Sequence, residues 1–268
     1  MIRAVFFDID GTLKPFEEHE LRDTTVQMLA DLQAKGIRIC VASGRPPVQL
    51  PLLGEKFNSV PWDGMILLNG QYCLNKEKEV IHNMPIPKEA LYSLVPWLKE
   101  NADYPCSFCE LEMSYDIAFN QGMHDYLESL GKLDEMPQVL DPVRSYEHDT
   151  YQICPYIPPE MDDAFVAHAP GMKSARWTDE FADMIPEQGG KPAGIQAMID
   201  YYGIDRSEIM VFGDGGNDSD MLEYAGIGVA MCNGKDVVKS QADVITTRDN
   251  NQGGVAETIH RFILGDEQ

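Results

Sequence analysis

At both ends of this chain, short apolar runs alternate with stretches of helical spacing, the pattern of a sheet covered by helices. Ile2–Phe7, Ile37–Ala42 and Met65–Leu68 are runs of the length that suits buried parallel strands. Between the first two, Val26, Leu29, Ala30 and Gln33 fall at helical spacing after Asp23 or Thr24, either of which can cap a helix that Gly36 would end. The last quarter repeats the pattern. A helix runs from Pro192, whose fixed φ suits a first helical position, to about Tyr202. Ile209–Phe212 predicts a strand, Asp218–Tyr224 a helix, and Ile227–Ala230 and Val244–Ile245 two further strands. Such alternation implies right-handed crossovers onto a mostly parallel sheet, so the two ends of the chain are expected to build one three-layer α/β core.

The stretch between them has a different texture. Eleven of the 17 prolines lie in residues 83–186, among alternating segments (Cys106–Glu112, Tyr151–Tyr156) and helical patterns (Glu89–Glu100, Met123–Gly131). The expected organisation is a core made of residues 1–82 and 187–268, with residues 83–186 inserted as an α+β module between Pro/Gly-rich hinges.

Charge narrows the partners. With 21 Lys and Arg against 44 Asp and Glu, the formal net charge is −23. Nucleic-acid affinity comes from cations replacing counterions on phosphates, and an anionic membrane repels the same charge, so both partners are excluded. The opening MIRAVFFDID lacks the apolar stretch of a secretory signal, and no segment reaches the ~20 apolar residues of a membrane span, so a cytoplasmic protein is expected. The six scattered cysteines are read as small buried thiols. Nothing marks an obligate protein partner.

Four clusters carry the chemistry. Asp8-Ile9-Asp10-Gly11-Thr12-Leu13 directly follows the first strand, in the position where open α/β sheets bind ligands. Ser43-Gly44-Arg45 follows the second strand, offering a hydroxyl and a glycine whose backbone can approach an anion. Lys191 opens a helix, where its ammonium and the helix dipole both favour negative charge. Gly213-Asp214-Gly215-Gly216-Asn217-Asp218 follows the strand at Ile209–Phe212. Each cluster follows a strand or opens a helix, so all four can converge on one edge of one sheet. An isolated Asp-x-Asp would be no more than an acidic turn.

Together the strings DIDGTL, VASGR, GGKPAG and GDGGND resemble the four signature motifs of the haloacid dehalogenase superfamily of phosphohydrolases. The insertion resembles the C2-type cap of its Cof-type (C2B-capped) sugar-phosphate phosphatases. The resemblance implies a Rossmann-like core, a specificity-setting cap, Mg²⁺ as cofactor and a small phosphorylated molecule as substrate. It implies Asp8 as nucleophile, Asp10 as general acid and base, and Lys191 as the group holding Asp8 and the phosphoryl group. Phosphate oxygens would be bound by Ile9, Ser43, Gly44 and Asn217. The metal would be held by Asp8, the Asp10 carbonyl and Asp214, with Asp218 steadying the metal or Lys191. One departure is Pro192, where the third motif usually has glycine after its lysine.

Charge counting agrees with those roles. Asp8, Asp214, Asp218 and a phosphate dianion gather about five negative charges, and unit charges 4 Å apart near a protein surface interact by roughly 4 kcal/mol. Another ionised carboxylate is disfavoured there, which leaves Asp10 to keep its proton and to act as acid, then base. Arg45 is expected at the mouth of the site, on substrate or cap, or in a surface ion pair.

Other features read more plainly. Cys106 and Cys109 have chelate spacing but sit on a predicted strand, where residues three apart point to opposite faces. His19 is expected in solvent. Arg176–Asp183, with Trp177, Phe181 and Asp183, suits either sugar contacts or cap core. Competing functions are a sugar phosphomutase, a phosphatase of flavin or pyridoxal phosphates, and a phospho-accepting signalling domain, which would be much shorter.

Overall fold

The computed structural model describes residues 1–101, 105–119, 121, 123–124, 128 and 138–265. Its strands, in chain order, are β1 (Ala4–Phe7), β2 (Arg38–Ala42), β3 (Gly64–Leu67), β4 (Tyr72–Asn75), β5 (Val80–Asn83), β6 (Cys106–Cys109), β7 (Ser114–Asp116), β8 (Gln138–Val139), β9 (Gln152–Pro155), β10 (Met172–Ala175), β11 (Asp183–Pro186), β12 (Ile209–Gly213), β13 (Ile227–Ala230) and β14 (Val244–Ile245). They form an eight-stranded sheet of order β14-β13-β12-β1-β2-β3-β4-β5 and a six-stranded sheet of order β10-β11-β9-β6-β7-β8. The chain divides into two units. One is residues 1–45, 49–83 and 190–268; the other is residues 84–189, grouped with 46–48.

In the first unit, the alternation of β1 decides the layering. Val5 and Phe7 join Met28, Leu29 and Leu32 of the helix Asp23–Ala34, with Val255 and Ile259 of the helix Gly254–Ile259. Ala4 and Phe6 enter the opposite cluster, with Ile195, Met198 and Ile199 of the helix Lys191–Tyr202 and Met221 and Leu222 of the helix Ser219–Tyr224. A strand buried on both faces has to be apolar throughout, which is what AVFF is.

Register then aligns the strand ends. Phe7 sits opposite Val41 of β2 and Phe212 of β12, all parallel, so the residues after these strands emerge side by side at the carboxyl edge. The edge beyond β3 departs from the parallel expectation: β4 and β5 run antiparallel, joined to β3 through a tight turn at Leu68–Gly70. Hairpins need only a short turn, whereas parallel neighbours need a crossover.

The expected cap of the first helix is corrected. Arg22, not Asp23 or Thr24, is the flanking residue, and its side chain makes no capping bond. Asp23 lies inside the first turn, where its charge complements the exposed N–H groups, and pairs with Lys56 at 2.7 Å. At the other end Gly36 does stop the helix. Its φ of +75° lets Gly36 N–H reach the Gln33 carbonyl and Ile37 N–H reach the Leu32 carbonyl at 2.9 and 3.0 Å.

In the second unit, one face of the six-stranded sheet is apolar. Phe108, Tyr115, Ile153 and Met184 pack there with Leu91, Leu94 and Leu98 of the helix Lys88–Glu100 and Phe165 of the helix Asp162–Val166. Cys106 belongs to this cluster, while Cys109 hydrogen-bonds Cys154 of β9, so the two thiols of the CSFC strand are divided between different surroundings. None of the six cysteines forms a disulfide, and five are buried. The helical pattern at Met123–Gly131 lies largely outside the described residues. Among those described, no helix is long and apolar enough to cross a membrane.

Candidate active site

Four loops meet at the carboxyl edge of the eight-stranded sheet. The Asp8 N–H donates to the Phe212 carbonyl at 2.9 Å, extending the β1–β12 ladder by one residue and fixing where the first loop begins. Gly11 has φ +86°, and a Cβ there would run into the Asp214 carboxylate, so the first and fourth motifs approach as closely as backbone allows. Thr12 Oγ1 donates to Asp214 Oδ1 at 2.7 Å, and Asn233 Nδ2 donates to the Gly11 carbonyl at 2.9 Å. The glycine is required by space as well as by φ.

Lys191 enters from the first turn of its helix and is buried. Its ammonium donates to Asp8 Oδ1 at 2.6 Å and to Asp218 Oδ1 at 2.5 Å. Asp218 Oδ2 accepts from the N–H groups of Asp214 and Gly215, each at 2.9 Å. Both oxygens of Asp218 are thus committed within the protein, orienting Lys191 with one and shaping the fourth loop with the other.

Burial and crowding set the electrostatics. Burial, then the charges of Asp218 and Asp214, push the Asp8 carboxyl well above its ordinary range against the pull of Lys191. Asp214 is pushed up to about 7 by burial and by Asp218, with the Thr12 hydrogen bond and Lys191 opposing. Burial works against the Lys191 ammonium, but Asp218 and Asp8 outweigh it and hold the proton more tightly than usual. Carboxylate oxygens of Asp8, Asp214 and Asp218 lie within 4.8 Å of one another. Hard oxygen donors with surplus negative charge fit a divalent cation such as Mg²⁺, and with Asp218 committed, Asp8 and Asp214 are the side chains that would hold it.

Asp10 departs from the charge-counting expectation. Arg45 Nε and Nη2 donate to its two oxygens at 2.5 and 2.9 Å, and the buried Lys14 ammonium lies 3.5 Å away. Two neighbouring cations favour a carboxylate over a carboxylic acid. The carboxyls whose surroundings favour a proton are instead Asp8 and Asp214, through burial first. Arg45 thus pairs with Asp10 beside the cluster.

The remaining predicted residues fall around this cluster. Ser43 is buried at the end of β2, its N–H donating to the Ile66 carbonyl at 2.8 Å and its Oγ accepting from Arg45 N–H at 3.2 Å, with Gly44 between them. Ile9 is buried behind Asp8, and its carbonyl accepts from Lys14 N–H at 2.9 Å. Asn217 Nδ2 donates to Asn69 Oδ1 at 2.9 Å. Asn69 was missed from the sequence. Its signal was the Asn-Gly pair directly after the third strand, a dipeptide that favours left-handed turns. His19 is exposed. In the second unit, Asp183 is buried and accepts from the Cys154 thiol at 3.3 Å, and Trp177 meets Phe181 edge-on at 5.4 Å.

The whole arrangement has counterparts. A family model described as haloacid dehalogenase-like hydrolase matches residues 5–259. The solved subclass IIB sugar phosphatase BT4131 is 32% identical, with a TM-score of 0.87 over 97% of this chain and 98% of its own. BT1666 from Bacteroides thetaiotaomicron is 30% identical, with a TM-score of 0.88 over 98% of this chain and 95% of its own. The 5-amino-6-(5-phospho-D-ribitylamino)uracil phosphatase YitU of Bacillus subtilis is 28% identical over 96% of each chain. The protein belongs to the haloacid dehalogenase-like hydrolases, as an enzyme that hydrolyses phosphate esters.

Proposed function

We propose that this enzyme is a cytoplasmic, Mg²⁺-dependent phosphatase of small phosphomonoesters, sugar phosphates foremost, acting through a phosphorylated Asp8. The observation that carries the reading is the buried Lys191 bridging Asp8 and Asp218 beside Asp214. Lys191 holds Asp8 Oδ1, which leaves Oδ2 as the oxygen to attack phosphorus. As the Asp8–phosphorus bond forms, the ester oxygen–phosphorus bond breaks, and Asp10 delivers a proton to the departing alkoxide. The Asp10 carboxylate then takes a proton from water, whose oxygen attacks phosphorus; the Asp8–phosphorus bond breaks, and phosphate leaves with Asp8 restored. A bound Mg²⁺ supplies charge neutralisation for the phosphoryl oxygens.

Ser43, the Gly44 backbone and Asn217 are the donors for the other phosphoryl oxygens, with Lys191 central among them. For Asp10 to carry a proton, substrate must first draw it from Arg45, whose guanidinium is then available to the bound ester. The inserted unit is assigned to recognition of the alcohol. BT4131 is a sugar phosphatase and YitU acts on a ribityl phosphate, which favours polyhydroxylated alcohols and keeps a ribityl phosphate bearing a heterocycle as a second reading.

The test is phosphate release from a panel of hexose, pentose, ribityl, flavin and pyridoxal phosphates, with Mg²⁺ and with chelator. Release from at least one polyol phosphate, only with the cation, is expected. Transfer of phosphate between sugar hydroxyls without release would replace the hydrolase reading by a mutase.

A further inference from the structure

Leu68, Asn69 and Gly70 are three consecutive residues with positive φ, at 53°, 54° and 99°. For Leu and Asn this conformation is sterically unfavourable, and a run of it persists only where surrounding contacts hold it. Those contacts are with three of the four motifs. Asn69 N–H donates to the Ser43 carbonyl at 3.0 Å. Gly70 is pressed against the Gly190 carbonyl just before Lys191, leaving no room for a Cβ. Asn69 Oδ1 accepts from Asn217 Nδ2 at 2.9 Å, and Asn69 is buried whereas Asn217 is half-buried.

We infer that Asn69 is a positioning residue for phosphate binding, acting through Asn217. A side-chain amide can present either its NH₂ or its carbonyl oxygen to a ligand, and only the NH₂ attracts a phosphoryl oxygen. By accepting one N–H of Asn217, Asn69 fixes the rotation of that amide and leaves the second N–H of the same group to donate to the phosphoryl oxygen. The left-handed backbone at Asn69 is what lets one residue bond the loop after β2 through its N–H and the fourth motif through its side chain. Asn and Gly both tolerate this conformation, so Asn69→Gly removes the acceptor without adding strain. The inference rests on the phosphatase reading and deepens it.

The test is a double-mutant cycle on the Mg²⁺-loaded protein with Asn69→Gly, Asn217→Ala and the double variant, read by kcat/KM on the best substrate of the panel and by inorganic phosphate binding in calorimetry. Asn69→Gly is expected to lower kcat/KM and phosphate affinity on the order of tenfold, the size of one lost hydrogen bond, with the folded circular-dichroism spectrum kept at the assay temperature. In the Asn217→Ala background the same substitution is expected to change neither quantity. Equal losses in both backgrounds, or none in either, would overturn the inference. If the wild type released phosphate from no substrate, the phosphatase reading alone would fall; phosphate binding then decides the cycle, and no binding to perturb would sink the inference as well.

Discussion

A fully buried ammonium survives at position 191 because two carboxylates meet it, and the residues of that trio answer removal with opposite signs. Lys191→Met would leave Asp8 and Asp218 facing each other without the cation that separates them. Breaking a buried pair in this way costs about 3–5 kcal/mol, so a large fall in the urea midpoint is expected, together with loss of turnover. Asp8→Asn acts the other way on stability. The Asp8 carboxyl is held above its ordinary range, so its favourable contribution is present below the unfolded pKa and is lost as pH rises through the folded one. At neutral pH the amide removes that penalty. Metal-free Asp8→Asn is therefore expected to melt at or above the wild-type midpoint, while phosphate release falls at least ~10³-fold. A variant that kept near-normal turnover would refute Asp8 as the nucleophile.

At the scale of elements, a short turn of the first unit holds backbone strain and a strand of the inserted unit holds a buried carboxyl. The turn after β3 admits no Cβ at Gly70, which stands at φ +99° against the backbone that leads into Lys191. Gly70→Ala is expected to lose roughly 2–4 kcal/mol in denaturant unfolding and to lower activity with it, because the relief is a shift of the Gly190–Lys191 segment. In the inserted unit, Asp116 of β7 is buried, with Ser107 Oγ donating to its Oδ1 at 2.5 Å and, among the described residues, no partner at Oδ2. Burial pushes its carboxyl up to about 6 against the Ser107 hydrogen bond. The folded state therefore binds the proton more tightly, and stability is lost as pH rises from about 4 through about 6. Asp116→Asn keeps the acceptor for Ser107. It is expected to match wild type near pH 3 and to exceed it by up to about 3 kcal/mol above pH 7, followed through the fluorescence of Trp97 and Trp177 in the same unit.

For the molecule as a whole, the legible parts were those that local periodicity or loop chemistry determine. β1, β2, β12 and β13 announced themselves because a strand buried on both faces has to be an apolar run, and the four motifs because each follows such a run or opens a helix. What stayed hidden was pairing at a distance. That Arg45 would close on Asp10 and that Asn69 would reach Asn217 depend on partners 35 and 148 residues away, which no spacing rule reveals. β4 and β5, by contrast, turn back antiparallel through local hairpins too short in apolar sequence to announce themselves.

The surplus of acid works at this scale too, and it separates two effects of added ions. A net charge of −23 repels itself, and screening by salt relieves that repulsion wherever the charges sit. Sodium chloride is therefore expected to raise the thermal midpoint of wild type and of Asp214→Asn alike. On the proposed function, magnesium at equal ionic strength acts by mass action on one site. At about 100 times its dissociation constant it adds about 2.7 kcal/mol, a rise on the order of 5–10 °C for a chain of this size. That increment should vanish in Asp214→Asn, because Asp8 and Asp214 are the side chains proposed to hold the cation, while the sodium increment remains. If both ions raised both proteins equally, the acidic cluster would be one more part of a charged surface and would hold no metal.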